Sequence, residues 1–282
     1  WKRDEVNSII GLLSGFAFKS ADFTNTGTYK IVTIKNVQDG MFDGHNVFFD
    51  ADATYGKSWG MNKYMQESKK QLIIVAIECN HEGNSRLEEY SPFDSETATL
   101  GVIKGKGKTY MTWLIKTLKP YIDSKYRTLP DRLNTIICGS SMGGLMALYG
   151  VCDYNHVFRK AACISPSLWM SKDKVLENVE ASRIATDSVI YIGYGSAEMP
   201  NHENSSEALI SVTRLLLTRR VNVALKIIPG GTHSESSWEK QIPIFMNGSG
   251  QPYADINFIE SGLRLRSERW REFAGTAMGL EW

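Results

Sequence analysis

Apolar runs alternate with helix-forming runs along most of the chain, and this alternation predicts a parallel sheet covered by helices. The predicted strands are short, apolar and rich in β-branched residues, and they cover residues 29–37, 72–78, 133–138, 160–164, 188–194 and 223–228. The runs between them have helical character and cover residues 58–68, 109–124, 143–152, 206–219 and 237–246. The pattern therefore predicts an α/β fold with a mostly parallel central sheet and helices on both faces.

Two regions depart from this alternation. Residues 1–40 contain one predicted strand, and its core at 29–35 alternates polar and apolar residues. Such alternation is typical of a half-exposed strand, so we expect the N-terminal strands to be atypical or replaced. A linker-like Asn247-Gly248-Ser249-Gly250 stretch precedes the C-terminal residues. We predict an atypical segment at 1–40, a main domain at 41–247 and a tail of unknown role at 248–282.

Composition limits the classes of partner. The 282 residues are 42% hydrophobic and 22% charged, with a formal net charge of +1. This near-neutral balance argues against a nucleic-acid or membrane-surface partner. We expect no membrane span, because no run of about 18 apolar residues occurs. These patterns indicate no particular oligomeric state.

The cysteines indicate the redox state of the cellular compartment in which the protein is found. The chain has 4 of them, mostly in apolar runs and without a metal-like Cys-x-x-Cys pair. We expect reduced core thiols in a cytoplasmic protein, with no signal-peptide pattern after Trp1. The residues concerned are Cys79, Cys138, Cys152 and Cys163.

The residues Gly139-Ser140-Ser141-Met142-Gly143 match the pattern G-x-S-x-G between a predicted strand and a predicted helix. This is the context of a nucleophile elbow, in which a strained turn presents a serine hydroxyl above the sheet. The alternative is a tight strand-to-helix turn that binds phosphate, but no P-loop spacing or lysine supports it. The sequence predicts that Ser141 is a catalytic nucleophile.

A serine nucleophile requires a general base, and histidine is the usual one. Ligands of open α/β sheets bind beyond the carboxyl ends of the strands, so the base should follow a strand. Only His202 and His233 meet this condition downstream of Ser141. His233 lies in the glycine-rich loop after the last predicted strand and is the predicted base. The alternative is an exposed loop histidine.

The orienting acid should follow the strand at 188–194, since enzymes with a nucleophile elbow on a parallel sheet carry these residues in the order Ser, acid, His. Glu198 meets this condition, and Glu203 is a less favoured alternative further into the loop. Asp187 begins that strand and would lie at the opposite end of the sheet. Glu198 is the predicted acid, against the alternative of a solvated surface carboxylate.

An acyl transfer also requires an oxyanion hole. Its donors should be the backbone N–H of Met142, which follows the nucleophile, and one N–H from an earlier strand-to-helix loop. The stretch Asp43-Gly44-His45-Asn46 is the candidate loop, and we predict the His45 N–H as the second donor.

Taken together, these segments resemble the esterase family of α/β-hydrolases that includes siderophore (enterochelin) and feruloyl esterases. The resemblance covers residues 41–247 and lies in five segments: Met41–Phe48, Glu89–Pro92, Gly139–Gly144, Ser165–Trp169, and Gly230–His233 with Trp238. It implies an α/β-hydrolase fold and hydrolysis of a small-molecule carboxylic ester through an acyl-enzyme, without metal or other cofactor. It supports the roles of Ser141, Glu198 and His233, and suggests that Trp169 and Tyr90 line the substrate pocket. The alternative for both aromatic residues is ordinary core packing.

Residues 8–40 depart from that family. The stretches "GFAFKSADF" and "IKNVQDG" resemble the start of a target-recognition domain in the DNA-specificity subunit of type I restriction enzymes. This resemblance suggests a chimeric chain. It leaves two alternatives to an active esterase: a catalytically impaired hydrolase-derived chain, and a DNA-binding module carried by this segment.

Overall fold

The computed structural model describes residues 9–14, 30–34, 47–53, 56–68, 72–77, 85–97, 100–198 and 203–248. For residues 9–14 and 30–34 it describes the backbone pairing alone. The chain divides into two compact units, residues 1–242 and 243–282. Of the second unit, the described part is the helical stretch 243–248. The boundaries predicted at 40 and 247 stay predictions.

The strands are β1 Ile9–Ser14, β2 Lys30–Ile34, β3 Leu72–Ile77, β4 Ser95–Thr97, β5 Gly101–Ile103, β6 Thr135–Ser140, β7 Lys160–Ile164, β8 Val189–Gly195 and β9 Asn222–Ile228. The α-helices are α1 Met61–Ser68, α2 Ser85–Glu89, α3 Gly107–Trp113, α4 Lys119–Lys125, α5 Met142–Asp153, α6 Lys172–Ala181, α7 Glu203–Thr218, α8 Glu235–Glu239 and α9 Ile242–Gly248. A π-helical turn, Leu114–Leu118, joins α3 to α4, and short 3₁₀ turns cover Asp50–Asp52, Arg132–Asn134 and Leu168–Ser171.

Within the part of the chain that the structure describes, the central sheet has seven strands in the order β2-β3-β1-β6-β7-β8-β9. Every neighbouring pair in it is parallel. A separate two-stranded antiparallel sheet pairs β4 with β5. The α/β class and the parallel sheet predicted from the sequence are therefore confirmed.

The N-terminal strands correct one expectation. We predicted a single strand in residues 1–40, but β1 is a second one and lies between β3 and β6 near the middle of the sheet. Its sequence, Ile9-Ile10-Gly11-Leu12-Leu13-Ser14, is apolar and suits an interior strand. The polar–apolar alternation of β2 suits the place it takes, at the edge of the sheet. The rest of residues 8–40 lies outside the described residues.

Both faces of β3 are buried, as the helix–strand alternation predicts. In β3 the residues Ile73, Val75 and Ile77 belong to a core cluster that includes side chains of α3, α5, α6 and α7. The intervening Leu72, Ile74 and Ala76 are also buried, and successive strand residues point to opposite faces. On that second face the Tyr191 hydroxyl donates to Gln241 Oε1 at 3.0 Å. When helices cover the faces of such a sheet, ligands bind at the carboxyl ends of its strands.

The five predicted helical runs are present with two differences, while α2 and α6 were not predicted. The run predicted at 237–246 consists of α8 and α9, which meet at the turn around Gln241. The helical segment predicted at 109–124 contains the π-helical turn Leu114–Leu118 between α3 and α4. Among the residues that the structure describes, no helix is both long and apolar enough to cross a bilayer.

Three of the cysteines lie in the core as free thiols: Cys138, Cys152 and Cys163. Burial raises the pKa of Cys152 to about 12 and holds the pKa values of Cys138 and Cys163 far above that of an ordinary thiol. Since the thiolate is the reactive form, these residues should be inert at neutral pH. Cys79 lies outside the described residues.

We predict that the Cys79→Ser protein reacts with a thiol reagent such as DTNB at pH 8 only after unfolding. In the native state the raised pKa and the burial of all three thiols remove both the thiolate and the access of the reagent. The measurement is absorbance on mixing, with the same protein in guanidinium as the control. Rapid labelling of the native protein would contradict the placement of these thiols.

Candidate active site

The turn that carries Ser141 joins β6 directly to α5. Ser141 has φ 56° and ψ −121°, a positive-φ conformation that residues with a side chain rarely adopt. Its N–H donates to the Ile164 carbonyl at 2.9 Å, and its carbonyl accepts from the N–H groups of Leu145 and Ser167, each at 3.1 Å. These bonds hold a strained serine at the point where the strand ends and the helix begins.

The glycines on either side of the serine allow this turn. A Cβ atom on Gly139 would lie 2.4 Å from both the carbonyl carbon and the carbonyl oxygen of Gly143. The first and last glycines of the G-x-S-x-G pattern are therefore in backbone contact, and a side chain on Gly139 would push β6 and α5 apart. This contact is the physical reason for that spacing.

Glu198 lies in the loop after β8 and is only 3% exposed. Its Oε1 accepts a hydrogen bond from Ser165 Oγ at 2.7 Å and another from the Gly195 N–H at 3.0 Å. Its Oε2 lies 2.7 Å from His233 Nδ1. A buried carboxyl group requires such partners, because burial without them is costly. The alternative of a solvated surface carboxylate is therefore wrong.

His233 lies in the loop between β9 and α8. Its Nδ1 faces Glu198, and its side chain remains 36% exposed. The Trp238 ring packs edge-on against the imidazole, with the ring centres 5.2 Å apart and an interplanar angle of 85°. One ring nitrogen is thus directed at the acid, the geometry in which a carboxylate orients an imidazole.

The loops that carry the acid and the histidine are bonded to each other. The N–H groups of Ala197 and Ser196 donate to the carbonyls of Gly231 and Ile228, both at 2.9 Å. A Cβ on Gly195 would lie 2.2 Å from the Gly231 carbonyl oxygen and 2.7 Å from Glu198 Oε1. Because the loops approach this closely, the acid and the histidine hold a fixed separation.

The loop after β7 brings a second hydroxyl to the nucleophile. Ser167 is buried, and its Oγ lies 3.3 Å from Ser141 Oγ. We assigned no role to Ser165 or Ser167 from the sequence. Ser165 directly follows β7 and Ser167 lies just beyond it, and this position after a parallel strand is the signal that could have marked them.

Other candidate acids lie elsewhere. Asp187 forms ion pairs with Arg132 Nη1 at 2.8 Å and with Arg159 Nε at 3.3 Å. These three residues come shortly before β8, β6 and β7, respectively. Arg132 holds the pKa of Asp187 below the usual range. Asp187 thus lies at the amino ends of the strands, as predicted. Glu203 begins α7, and His202 lies outside the described residues.

Of the two predicted oxyanion donors, Met142 belongs to the described residues and His45 does not. Met142 is buried and is the first residue of α5. The first backbone N–H groups of a helix have no partner within the helix, and they form the positive end of the helix dipole. His45 and the rest of residues 35–46 lie outside the described residues. The chain beyond that loop is anchored where the Met61 N–H donates to the Val47 carbonyl at 2.9 Å.

The two predicted pocket aromatics have different environments. Trp169, in the turn Leu168–Ser171, is partly buried and packs against the core cluster. Tyr90 is only 3% exposed and packs edge-on against Tyr110, with the ring centres 5.2 Å apart. The burial of Tyr90 favours the core alternative, and a pocket role for Trp169 stays a prediction. Within the described residues, no group of three or more His, Cys, Asp or Glu is arranged to hold a metal ion.

Comparison with known proteins identifies the family. The family model described as "Putative esterase" matches residues 36–245, which is most of the chain and includes every candidate site residue. The chain belongs to this esterase family. Membership confirms the family resemblance of residues 41–247. The suggested chimeric origin of residues 8–40 stays a prediction.

The esterase fold recurs in solved structures. The enterobactin esterase FES from Shigella flexneri has a TM-score of 0.60 and 16% identity, covering 88% of this chain and 53% of that one. The enterobactin and salmochelin hydrolase IroE has a TM-score of 0.55 and 17% identity, covering 89% of this chain and 86% of that one. At these identities the likeness shows the fold alone.

A curated relative also matches. The uncharacterized protein YbbA from Bacillus subtilis (strain 168) is 21% identical over 154 residues, or 54% of this chain. The match spans 59% of YbbA, less than two thirds of its length.

We predict that Gly195→Ala lowers both stability and ester turnover. The new methyl group meets the Gly231 carbonyl and Glu198 Oε1, so the two loops must separate, at a cost of about 1–3 kcal/mol. The measurements are the urea unfolding midpoint and the hydrolysis rate. Gly101→Ala is the control, since Gly101 has φ +67° and open space around it and so adds only backbone strain of about 1 kcal/mol. Equal behaviour of the two variants would contradict the close approach of the loops.

Proposed function

We propose that this protein is a serine carboxylesterase in which Ser141, His233 and Glu198 act together. The observation that carries the proposal is the 2.7 Å contact between Glu198 Oε2 and His233 Nδ1. It lies at the same edge of the sheet as Ser141, whose strained backbone follows β6. These residue types in this chain order are those that ester hydrolases of this architecture use.

In the acylation step Ser141 Oγ attacks the carbonyl carbon of the ester. His233 Nε2 takes the hydroxyl proton as the C–O bond forms, and the Glu198 carboxylate stabilises the resulting imidazolium. The N–H groups of Met142 and His45 are the proposed donors to the oxyanion. The tetrahedral intermediate then expels the alkoxide, which takes the proton from His233 and leaves as the alcohol.

In the deacylation step a water molecule repeats the sequence. His233 takes a proton from water while the oxygen attacks the acyl-enzyme carbonyl, and the same N–H groups stabilise the second oxyanion. Collapse of this intermediate returns the proton to Ser141 Oγ and releases the carboxylic acid. Each cycle consumes one ester and one water and restores the enzyme without a metal or other cofactor.

Two alternatives are distinguished by experiment. A catalytically impaired chain would be folded and hydrolyse no activated ester. A DNA-binding module in residues 8–40 would retard duplex DNA in a low-salt gel shift, with retention that weakens as salt rises. Two strands of that segment pair within the hydrolase sheet, which favours a structural role.

We predict that the wild-type chain hydrolyses p-nitrophenyl acetate and butyrate and that Ser141→Ala does not. Removal of the nucleophile eliminates the acyl-enzyme route, so kcat should fall by about 10⁴-fold or more. The measurement is release of p-nitrophenol, with circular dichroism to show that both chains are folded. Turnover retained in Ser141→Ala would refute the proposed nucleophile. Absence of turnover in a folded wild type would favour the impaired alternative.

Enterobactin is the second substrate to test, because two structural neighbours carry it in their names.

We predict that Glu198→Gln lowers kcat by about 10³- to 10⁴-fold with little change in fold. A neutral amide in place of the carboxylate no longer stabilises the imidazolium or fixes its tautomer. The measurement is kcat for p-nitrophenyl butyrate across the pH range. Glu207→Gln is the matched control, since Glu207 pairs with Lys172 on the protein surface. A loss no greater than that of the control would exclude Glu198 as the acid.

A further inference from the structure

The hydrogen bonds around Ser165 have a defined direction. Trp238 Nε1 lies 2.9 Å from Ser165 Oγ, and an indole N–H can only donate. Ser165 Oγ therefore accepts from Trp238, and its own proton is available for Glu198 Oε1 at 2.7 Å. All three side chains are buried. The indole thus aims the serine hydroxyl at the carboxylate.

The backbone of Ser165 is held in an unusual conformation. Its φ is 43°, in the left-handed region, and its N–H donates to the Gly193 carbonyl at 2.7 Å. A serine in this region is uncommon and persists only when its surroundings determine it. The conformation directs the hydroxyl at the loop after β8 instead of along the strand.

Trp238 contacts the histidine as well as the serine. Its ring packs edge-on against His233, and on another side Trp59 packs against it with ring centres 5.9 Å apart. Because Trp238 is 6% exposed and lies in α8, its position is fixed by packing. A single side chain therefore touches the base directly and the acid through one hydroxyl.

We propose that Trp238 and Ser165 form a positioning relay that holds Glu198 and His233 in catalytic alignment. This inference rests on the proposed esterase function. Neither residue forms or breaks a bond in the proposed mechanism. They act by fixing the carboxylate, which in turn fixes the imidazole. Small misplacement of a catalytic group is costly in rate, so loss of the relay should lower kcat and leave substrate binding nearly unchanged.

The kinetic test is a double-mutant cycle. Ser165→Ala and Trp238→Phe should each lower kcat for p-nitrophenyl butyrate by about 10- to 100-fold, with KM changed less than about threefold. The double variant should lose no more than the worse single variant, since both substitutions break one chain of hydrogen bonds. Multiplying losses would overturn the relay, as would kcat values equal to that of wild type.

Two further variants separate positioning from folding. Ser165→Gly also removes the hydroxyl but suits a positive φ, so it should lose as much kcat as Ser165→Ala whatever its stability. Ser182→Ala is the matched control, because the Ser182 hydroxyl is buried and donates to the Val179 carbonyl, away from the site. It should alter neither kcat nor KM. Full activity in Ser165→Gly would show that backbone strain, not the hydroxyl, is responsible.

A spectroscopic readout keeps the relay separate from the esterase proposal. The proton between His233 Nδ1 and Glu198 should give a far-downfield proton NMR signal, assigned by its loss in His233→Gln. The relay predicts that this signal shifts or broadens in Ser165→Ala and Trp238→Phe, and is unchanged in Ser182→Ala. The measurement is also made in the Ser141→Ala background, where it requires no turnover.

An unchanged signal in both relay variants would overturn the inference even if the wild type is an active esterase. A changed signal in a protein without turnover would support the relay while the proposed function fails.

Discussion

The carboxyl group of Glu198 is buried beyond the end of β8, and its burial requires hydrogen-bond donors from several parts of the chain. Those donors come from the strand end at Gly195, from Ser165 after β7, and from His233 after β9. A buried acceptor left without partners would destabilise the fold by several kcal/mol, so each donor is under strong constraint. The single carboxylate thereby holds together the three loops from which the candidate site is built.

The parallel sheet makes this convergence possible. When all strands run in one direction, their carboxyl ends meet at one edge, and residues distant in sequence become neighbours. Ser141 follows β6, Ser165 follows β7, Glu198 follows β8 and His233 follows β9. The hydrogen-bonded pairing of neighbouring strands holds them in register, so the loops start from fixed points. Their own contacts, such as the close approach of Gly195 to Gly231, determine the rest.

The N-terminal strands show where a local pattern is insufficient. The apolar run of β1 is short and lies in a segment rich in glycine and phenylalanine, and no helix-like run follows it. The other strands were predicted because helix-like runs separate them, and β1 has no such run after it. It was therefore not predicted, although it pairs with β6. The alternation in β2 is consistent with the edge position that it takes, but an edge position cannot be deduced from the strand's own residues. Strand order depends on pairing between segments far apart in the chain.

Local sequence alone determined the α/β alternation, the turn at Ser141 and the candidate roles of His233 and Glu198. Periodicity, glycine spacing and position after a strand are short-range properties, and the physical rules that connect them to structure act over a few residues. Tertiary structure alone decided that Glu198 is buried, that Ser165 donates to it, and that Trp238 contacts both Ser165 and His233. Hydrogen-bond direction and burial depend on which side chains meet across the sheet edge. For Ser165 and Trp238, 73 residues apart, that meeting is set by the packing of the whole domain.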